Sequence, residues 1–396
     1  MDKVFHIRAF SGTDRDCREV DLDLPATDYE LLDLMDQLQP EDASRICLEI
    51  HAAEEYNYLD NKMREPGLLQ LNTLASRLAE LDIQGMAAFE GLVCMDLQKG
   101  EKTISVPLLI DYAHSGDCCH VVGDAVTDAD LGRFLAENDF VPDVDSLSDA
   151  AFELLDFQRI GKTHREAEGG AFTGFGYVER HSELHHVSET MDFQPRKPPY
   201  TLLLNIACFP NIGGSETSPE PVPIQLPASG EELQGALAKL GKPDWTGVMA
   251  AILDCPVPAM NKGIFLEEEI PQVIEWAKAL RTLDEAGCLP KYKALLEAED
   301  CAEVTEALRL AGPLEEYEFD PALHTEEDVA SSYLAKNIAG DLLERILPHI
   351  NLWQLGAGLL EASNGALTPY GAISRKDGQP FQNMNDRPGQ GGMEMS

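Results

Sequence analysis

Residues 24–31, LPATDYEL, return as LPASGEEL at residues 226–233, and this pair of segments decides how the chain is built. The offset of 202 continues without a gap until Leu81 meets Leu283. Self-similarity at a nearly fixed offset is typical of duplicated units. Three further segments match in the same order: FHIRAF (5–10) with LNIACF (204–209), FLAEN (134–138) with YLAKN (333–337), and GAFTGFGYV (170–178) with GALTPYGAI (365–373). The sequence therefore predicts two diverged tandem repeats rather than two unrelated domains.

The repeats predict the domain organisation. We expect a first repeat over residues 1–180 and a second over 200–380. Residues 181–199 are polar and contain three prolines near their end, so they are interpreted as a linker. Residues 381–396 lack a core-forming pattern and are expected to be disordered.

Each repeat has an α+β pattern, so the predicted fold is an elongated chain of small α/β domains. Strands are expected at Lys3–Phe10 and at the more apolar Thr201–Phe209, which is a candidate for burial on both faces. Helices are expected at Asp28–Leu38, after a cap at Thr27 or Asp28, and at Leu71–Leu81. The apolar stripe of that second helix has its counterparts at Val273, Ala277, Leu280 and Leu283.

Three more elements are predicted before the end of the first repeat. Thr103–Ile110 has a strand pattern, which Pro107 would confine to a sheet edge. Thr127–Glu137 and Ser148–Ile160 have the pattern of acidic helices.

The charge is far from ordinary, since 70 Asp and Glu face 30 Lys and Arg for a formal net charge of −40. Direct binding to nucleic acid or to an anionic membrane needs a basic surface, and the composition argues against both. The nine scattered cysteines are typical of reduced thiols, and no apolar run has the length of a membrane span. Together with an N-terminus that lacks a signal-peptide pattern, this predicts a soluble, cytoplasmic protein.

The acidic residues are concentrated within each repeat. Between residues 111 and 156 there are twelve carboxylates opposed by Arg133 alone, and residues 297–328 hold twelve more opposed by Arg309 alone. Solubility needs a net charge of only about 2–8 for a small domain, so a functional anionic surface is expected. Its candidate partner-binding residues are Asp111, Asp117, Asp124, Asp128, Asp130, Glu137, Asp139, Asp143, Asp145, Asp149, Glu153 and Asp156.

Motifs for catalysis or for cofactors are not convincing. In HSELHH (181–186), Ser182 stands where a zinc-protease motif needs glutamate, and the cluster formed by His114, Cys118, Cys119 and His120 fits no zinc spacing. There is no nucleophile elbow and no dinucleotide fingerprint. We therefore expect no catalytic residue, no cofactor and no metal ion.

Three segments of the first repeat resemble the ArdA-type antirestriction proteins of plasmids and conjugative transposons. They are LPATDYELLDLMDQL (24–38), GLLQLNTLASRLAEL (67–81) and FQRIGKTHREAEGGAFTGFGYVE (157–179). The resemblance covers residues 3–180. The second repeat departs from it, with Val273 and Ile274 at the Leu-Asn positions of the motif.

The resemblance implies a DNA mimic. Such a protein occupies the DNA-binding groove of a type I restriction–modification enzyme, and its partners are the DNA-recognition and methyltransferase subunits. Family members pair as homodimers, so this chain is expected to form either an internal pseudo-dimer or a homodimer. Two other functions remain open from the residues alone: an acidic metal-dependent hydrolase, and an acidic adaptor for another basic protein.

Overall fold

The computed structural model describes residues 2–12, 17–40, 45–209 and 219–381, with the side chains of Asp145 and Lys262 outside the description. The predicted disordered tail after Phe381 also lies outside it. The chain is a mixed α/β protein with several small sheets. It divides into two compact units, of which the first comprises residues 1–26 and 40–195 and the second residues 27–39 and 196–396.

The strands and helices are numbered in chain order. The strands are β1 (Phe5–Ser11), β2 (Arg18–Leu24), β3 (Cys47–Ala52), β4 (Met63–Arg64), β5 (Ile104–Ser105), β6 (Cys119–Gly123), β7 (Ala171–Thr173), β8 (Gly176–Arg180), β9 (Leu202–Cys208), β10 (Val222–Leu226), β11 (Val248–Asp254), β12 (Ile264–Phe265), β13 (Tyr317–Asp320), β14 (Ala366–Thr368) and β15 (Gly371–Arg375). The helices are α1 (Asp28–Leu38), α2 (Leu68–Leu78), α3 (Ile83–Gln98), α4 (Val106–His114), α5 (Asp128–Glu137), α6 (Asp149–Phe152), α7 (Phe157–Glu168), α8 (Gly230–Lys239), α9 (Ile270–Glu285), α10 (Leu289–Ala298), α11 (Val304–Leu310), α12 (Glu326–Asn337), α13 (Gly340–Ile346) and α14 (Leu352–Ser363).

The first unit begins with an antiparallel sheet of order β2-β1-β3. Phe5, Ile7 and Ala9 of β1 are buried, while alternate side chains face outward. On the outward face Arg8 forms an ion pair with Asp21 of β2. The strand predicted at Lys3–Phe10 is therefore confirmed as β1, and its alternating burial is that of a sheet with one buried face.

Helix α2 places its predicted stripe in the core. Leu71, Leu74, Ala75 and Leu78 are all buried. The predicted helix extended to Leu81, but α2 ends at Leu78 and Leu81 is half-buried beyond it. The stripe was identified correctly, and the end of the helix was placed one turn too late.

The predicted strand at Thr103–Ile110 is wrong for most of its length. Only Ile104–Ser105 pairs, as β5, in parallel with β4. Helix α4 then begins at Val106, with Pro107 in its first turn. Proline is favoured there because the first N–H groups of a helix have no partner within it. The apolar run that resembled an edge strand is a buried helix.

The last helices of the first unit pack in a close pair, α5 against α7. The predicted helix at Thr127–Glu137 is confirmed, with Thr127 as its N-cap. The predicted helix at Ser148–Ile160 is wrong, because the chain forms the short α6 and then starts α7 at Phe157. Asp156 accepts a hydrogen bond from the Arg159 N–H, so it begins a new helix where a continuous one was expected.

The second unit contains two antiparallel sheets, of order β10-β9-β11-β12 and β13-β15-β14. Strand β9 confirms the second predicted strand, although its side chains alternate between buried and half-buried. Helix α9 buries the predicted stripe of Val273, Ala277, Leu280 and Leu283. Trp276 of the same helix is fully buried and donates a hydrogen bond to the Tyr292 hydroxyl.

Helix α1 belongs to the second compact unit, although the strands on either side of it belong to the first. The Lys293 ammonium, 3% exposed, lies 2.7 Å from carboxylate oxygens of both Asp33 and Asp36. The Tyr370 hydroxyl donates to Asp33 at 3.0 Å. Burial opposes the charge of Lys293, but the two carboxylates outweigh it and raise its pKa above the ordinary value. This arrangement departs from the predicted boundaries, which kept residues 1–180 together.

Residues 181–195, predicted as linker, belong to the first unit. They contain a 3-10 turn at Ser188–Thr190. Among the described residues, no helix combines the length and the apolar character needed to cross a bilayer.

We expect Gly356→Ala to destabilise the second unit, because its Cβ would lie 1.8 Å from the carbonyl oxygen of Glu326 on α12. Overpacking of this kind costs about 1–3 kcal/mol. Gly358 on the same helix α14 meets no atom within 4 Å, and Gly358→Ala should stabilise the helix by up to about 1 kcal/mol. Urea denaturation of both variants measures the contrast. Equal effects would show that the two helices do not touch at Gly356.

Lys293→Met should lower the free energy of unfolding by about 3–5 kcal/mol, because it leaves the buried Asp33 carboxylate without its cation. The matched control is Lys278→Met, which removes an exposed ion pair with Glu275. That change should cost less than about 1 kcal/mol. Chemical denaturation checks both, and similar losses for the two variants would contradict the buried ion pair.

Candidate acidic binding surface

Nine of the twelve candidate carboxylates are exposed in the first unit. They are Asp117, Asp124, Asp130, Glu137, Asp139, Asp143, Asp149, Glu153 and Asp156. Asp128 is half-buried, Asp111 is buried, and the side chain of Asp145 lies outside the described residues. Most of the predicted group is therefore accessible to a partner, and two members have other surroundings.

Asp111 was predicted to belong to the acidic surface, but it is buried. It lies in α4, only 4% exposed, and accepts a hydrogen bond from the Ser188 N–H at 2.8 Å. The His186 ring lies 3.6 Å from its second oxygen. A buried carboxylate needs such partners. Asp111 thus holds the segment after β8 and cannot face a partner.

Two cations oppose the surface at close range. Arg165 of α7 forms a two-pronged ion pair with Asp128, at 2.8 and 3.1 Å. Arg133 forms a similar pair with Glu153, at 3.1 and 3.0 Å. The hydrogen bonds from these guanidinium groups lower the pKa of each carboxyl. Arg133 was counted in the sequence, whereas Arg165 lies outside the counted segment and reaches it because α7 packs on α5.

Three other carboxylates lie at helix N-termini. Asp130 completes a capping box with Thr127 at the start of α5, Asp149 lies in the first turn of α6, and Asp156 caps α7. Carboxylates there accept otherwise unpaired N–H groups and interact favourably with the helix dipole. The local fold therefore accounts for some of the acidic residues without any partner.

A shallow groove of about 360 Å³ lies beside α5 and α6. Its rim carries Glu137, Asp139, Asp149 and Glu153, and its apolar lining comes from Val144, Leu147 and Phe152. The backbone φ angle is positive at Asp139 (63°), at Asp124 (65°) and at Asp143 (64°). Aspartate is among the few residues that adopt this left-handed conformation readily. The groove is the part of the acidic surface where carboxylates and an apolar floor meet.

A second group of side chains comes together from two segments that match no metal-binding motif in the sequence. Asp117, Cys118 and His185 have potential ligand atoms that all lie within 4.8 Å of one another. The His185 Nε2 lies 3.0 Å from the Asp117 Oδ1 and 3.7 Å from the Cys118 Sγ. The Cys118 Sγ lies 3.9 Å from the same Asp117 oxygen. The hydrogen bond from His185 lowers the pKa of the Asp117 carboxyl.

In the sequence these residues belong to two separate clusters, and neither cluster matches a metal-binding motif. One cluster was centred on Cys118 and Cys119, and the other was HSELHH. Strand β8 pairs with β6, and the Cys118 carbonyl accepts a hydrogen bond from the His181 N–H, so the ends of both strands bring the clusters together. Cys119 is buried in β6, and burial raises the pKa of its thiol to about 12. The only available signal was the richness of both clusters in ligand-forming residues.

Comparisons with protein-family models, with curated protein sequences and with solved structures find no match to this chain. The candidate function therefore depends on the charge, the geometry and the motifs of the chain itself.

We expect Asp128→Asn to lower the free energy of unfolding at pH 7 by about 1.5–3 kcal/mol, the range for hydrogen bonds to charged groups. Because the folded state lowers the pKa of Asp128, this contribution is complete above the unfolded value of about 3.9. It is lost as the pH falls through the lower folded value. The stability difference from wild type should therefore shrink below about pH 4.

Asp124→Asn is the matched control. Asp124 is exposed, and asparagine also adopts its left-handed backbone readily. Its effect should stay within about 0.5 kcal/mol at every pH. Urea denaturation between acid and neutral pH compares the two variants, and a pH-independent loss in Asp128→Asn would contradict the ion pair.

Proposed function

We propose that this protein is an antirestriction protein that mimics DNA and occupies the DNA-binding groove of a type I restriction–modification enzyme. The observation that carries the proposal is the set of eight exposed carboxylates at residues 124–156, on and around α5, α6 and α7. Helix packing and capping hold α5 and α7, which carry several of them, in place. A basic groove that binds DNA would meet negative charges at fixed positions, as it does on a duplex.

The amount of charge suits this role. Duplex DNA carries one negative charge per about 1.7 Å of axis. The net charge of −40 thus corresponds to about 68 Å, or about 20 base pairs, of duplex. Binding to DNA releases the counterions that gather around its phosphates, which is the main source of sequence-independent affinity. Counterions that gather around this protein's carboxylates would be released in the same way.

The second unit also carries many accessible carboxylates. Of the twelve carboxylates at residues 297–328, Glu299 is buried, and the others are exposed or half-buried. Arg309 forms an ion pair with Glu306 of the same helix, α11. The acidic character therefore belongs to both units.

We also propose that the chain arose by tandem duplication. Gly161 and Gly356 both lie where a Cβ would meet a carbonyl oxygen of an earlier helix, at 1.9 and 1.8 Å. Gly176 and Gly371 share an unusual φ, +131° and +135°. In the first β-hairpin the Thr173 hydroxyl donates to the Gly176 carbonyl. The equivalent threonine of the second hairpin, 195 residues later, donates to the Gly371 carbonyl.

The three-stranded sheets also correspond, since β6-β8-β7 and β13-β15-β14 have the same order and direction. An experimental structure tests the duplication. Residues 119–180 and 317–375 should superpose helix on helix and strand on strand, and a different strand order in either sheet would contradict it.

We expect the purified protein to bind the DNA-recognition and methyltransferase complex of at least one type I enzyme in a panel, at fixed stoichiometry. If carboxylates of this protein take the place of about 6–10 phosphates in the groove, its affinity for the enzyme should fall about 10³–10⁵-fold between about 50 and 200 mM salt. Fluorescence anisotropy with labelled protein, and competition with a duplex that carries the recognition site, measure both effects. A salt-independent affinity would contradict mimicry, as would a ternary complex with DNA in the same groove.

Variants locate the contact surface in the same experiment. Glu137→Gln with Asp139→Asn removes two charges from the groove rim and should reduce the salt slope by about 2. Glu19→Gln with Glu49→Gln removes two exposed charges from β2 and β3 as a matched control. The control should change the slope less. Complete loss of binding from one neutralised carboxylate, with the fold intact, would indicate a specific polar site instead of distributed charge.

A further inference from the structure

We propose that Asp117, Cys118 and His185 bind a zinc ion. This inference rests on side-chain geometry in the first unit and does not depend on the proposed antirestriction function. Cys118 ends a 3-10 turn at Gly116–Cys118, directly before β6. His185 lies five residues beyond the end of β8, in the stretch that the sequence assigned to a linker.

The spacing of the three ligand atoms agrees with tetrahedral zinc coordination. With bonds of about 2.3 Å to sulfur and about 2.0–2.1 Å to nitrogen and oxygen, ligand atoms lie about 3.5 Å apart for pairs with sulfur and about 3.3 Å apart for nitrogen and oxygen. The observed separations are 3.7 Å for Sγ to Nε2, 3.9 Å for Sγ to Oδ1 and 3.0 Å for Nε2 to Oδ1. Shifts of a few tenths of an ångström would place all three on one ion.

The donor set selects the class of metal. A cysteine sulfur, an imidazole nitrogen and a carboxylate oxygen are the ligand types that zinc accepts together. Magnesium and calcium prefer oxygen ligands throughout, so sulfur disfavours them. The Cys118 thiol donates to the Glu183 carbonyl at 3.0 Å. On zinc binding the thiol proton would pass to solvent and the thiolate would bind the ion.

The backbone around His185 is already held in position. The His185 N–H donates to the Ser115 hydroxyl at 2.9 Å, and that fully buried hydroxyl donates in turn to the Asp111 carbonyl. The Asp111 carboxylate accepts the Ser188 N–H three residues later. Hydrogen bonds that orient a ligand in this way lower the cost of ordering the site.

Solvent can reach the site, and its ligands come from two distant segments. The Asp117 and His185 side chains are 73% and 49% exposed. Three protein ligands leave the fourth position of a tetrahedral ion to a water molecule or an added ligand. Zinc would thereby crosslink the turn before β6 to the segment after β8, which are 67 residues apart in the chain.

The experiment uses the full-length, tag-free chain after treatment with a chelator. Titration with zinc against a chromophoric indicator should give one tight site per chain. Cobalt should produce the intense visible bands of tetrahedral coordination and a thiolate-to-cobalt charge-transfer band in the near ultraviolet. The many carboxylates of the chain can bind metals weakly, but only a cysteine ligand produces the charge-transfer band.

Cys118→Ala and His185→Gln should each weaken zinc binding by at least about 100-fold, since losing even an outer-shell partner costs about 10–100-fold. Cys47→Ser and His51→Gln, which alter exposed side chains of β3 far from the ligand set in the chain, should leave the affinity unchanged. Circular dichroism confirms that each variant is folded. The proposal is overturned if wild type lacks the charge-transfer band, or if Cys118→Ala retains wild-type affinity.

Discussion

The buried ammonium of Lys293 is the interaction on which the arrangement of the second unit depends. Its two carboxylate partners, Asp33 and Asp36, lie on α1, more than 250 residues earlier in the chain, as the separations of 260 and 257 residues show. A buried charge of this kind is tolerated only with its partners in place. Helix α1 must therefore pack in the second unit, and the sequence on either side of it serves the first. The compact units are not simple consecutive halves of the chain.

Close backbone contact is the second constraint, and it bears on the acidic surface. Gly132 and Gly161 allow α5 and α7 to approach until a Cβ at either position would lie 1.9 Å from a carbonyl oxygen. Helices in such contact have little freedom to separate. The carboxylates around α5 and α7 are consequently presented from a well-defined backbone. A fixed backbone would favour DNA mimicry, because a flexible acidic chain would lose conformational entropy when it bound a rigid groove.

Several acidic residues also have structural roles that a count of charges cannot reveal. Asp111 is buried and holds the backbone at Ser188, while Asp128 is paired with Arg165. Asp130 and Asp156 cap helices. These contacts stabilise the elements that carry the remaining carboxylates, so the acidic composition serves the fold as well as the proposed binding. The Asp111 contact also orders the residues around His185, which connects the acidic segment to the proposed zinc ligands.

Features that depend on local pattern can be predicted from the amino-acid sequence. Strand β1 follows from its content of Val, Phe and Ile, which favour strands. Helix α1 and the apolar stripes of α2 and α9 follow from periodicity, because residues on one face of a helix recur at its own repeat. Apolar runs without clear periodicity were harder, and Val106–His114 is a helix where a strand was predicted. Tertiary structure alone decided which unit contains α1, that Asp111 is buried, and that Cys118 meets His185. Each of these depends on contacts between residues far apart in the chain, and no local pattern encodes where a distant partner will lie.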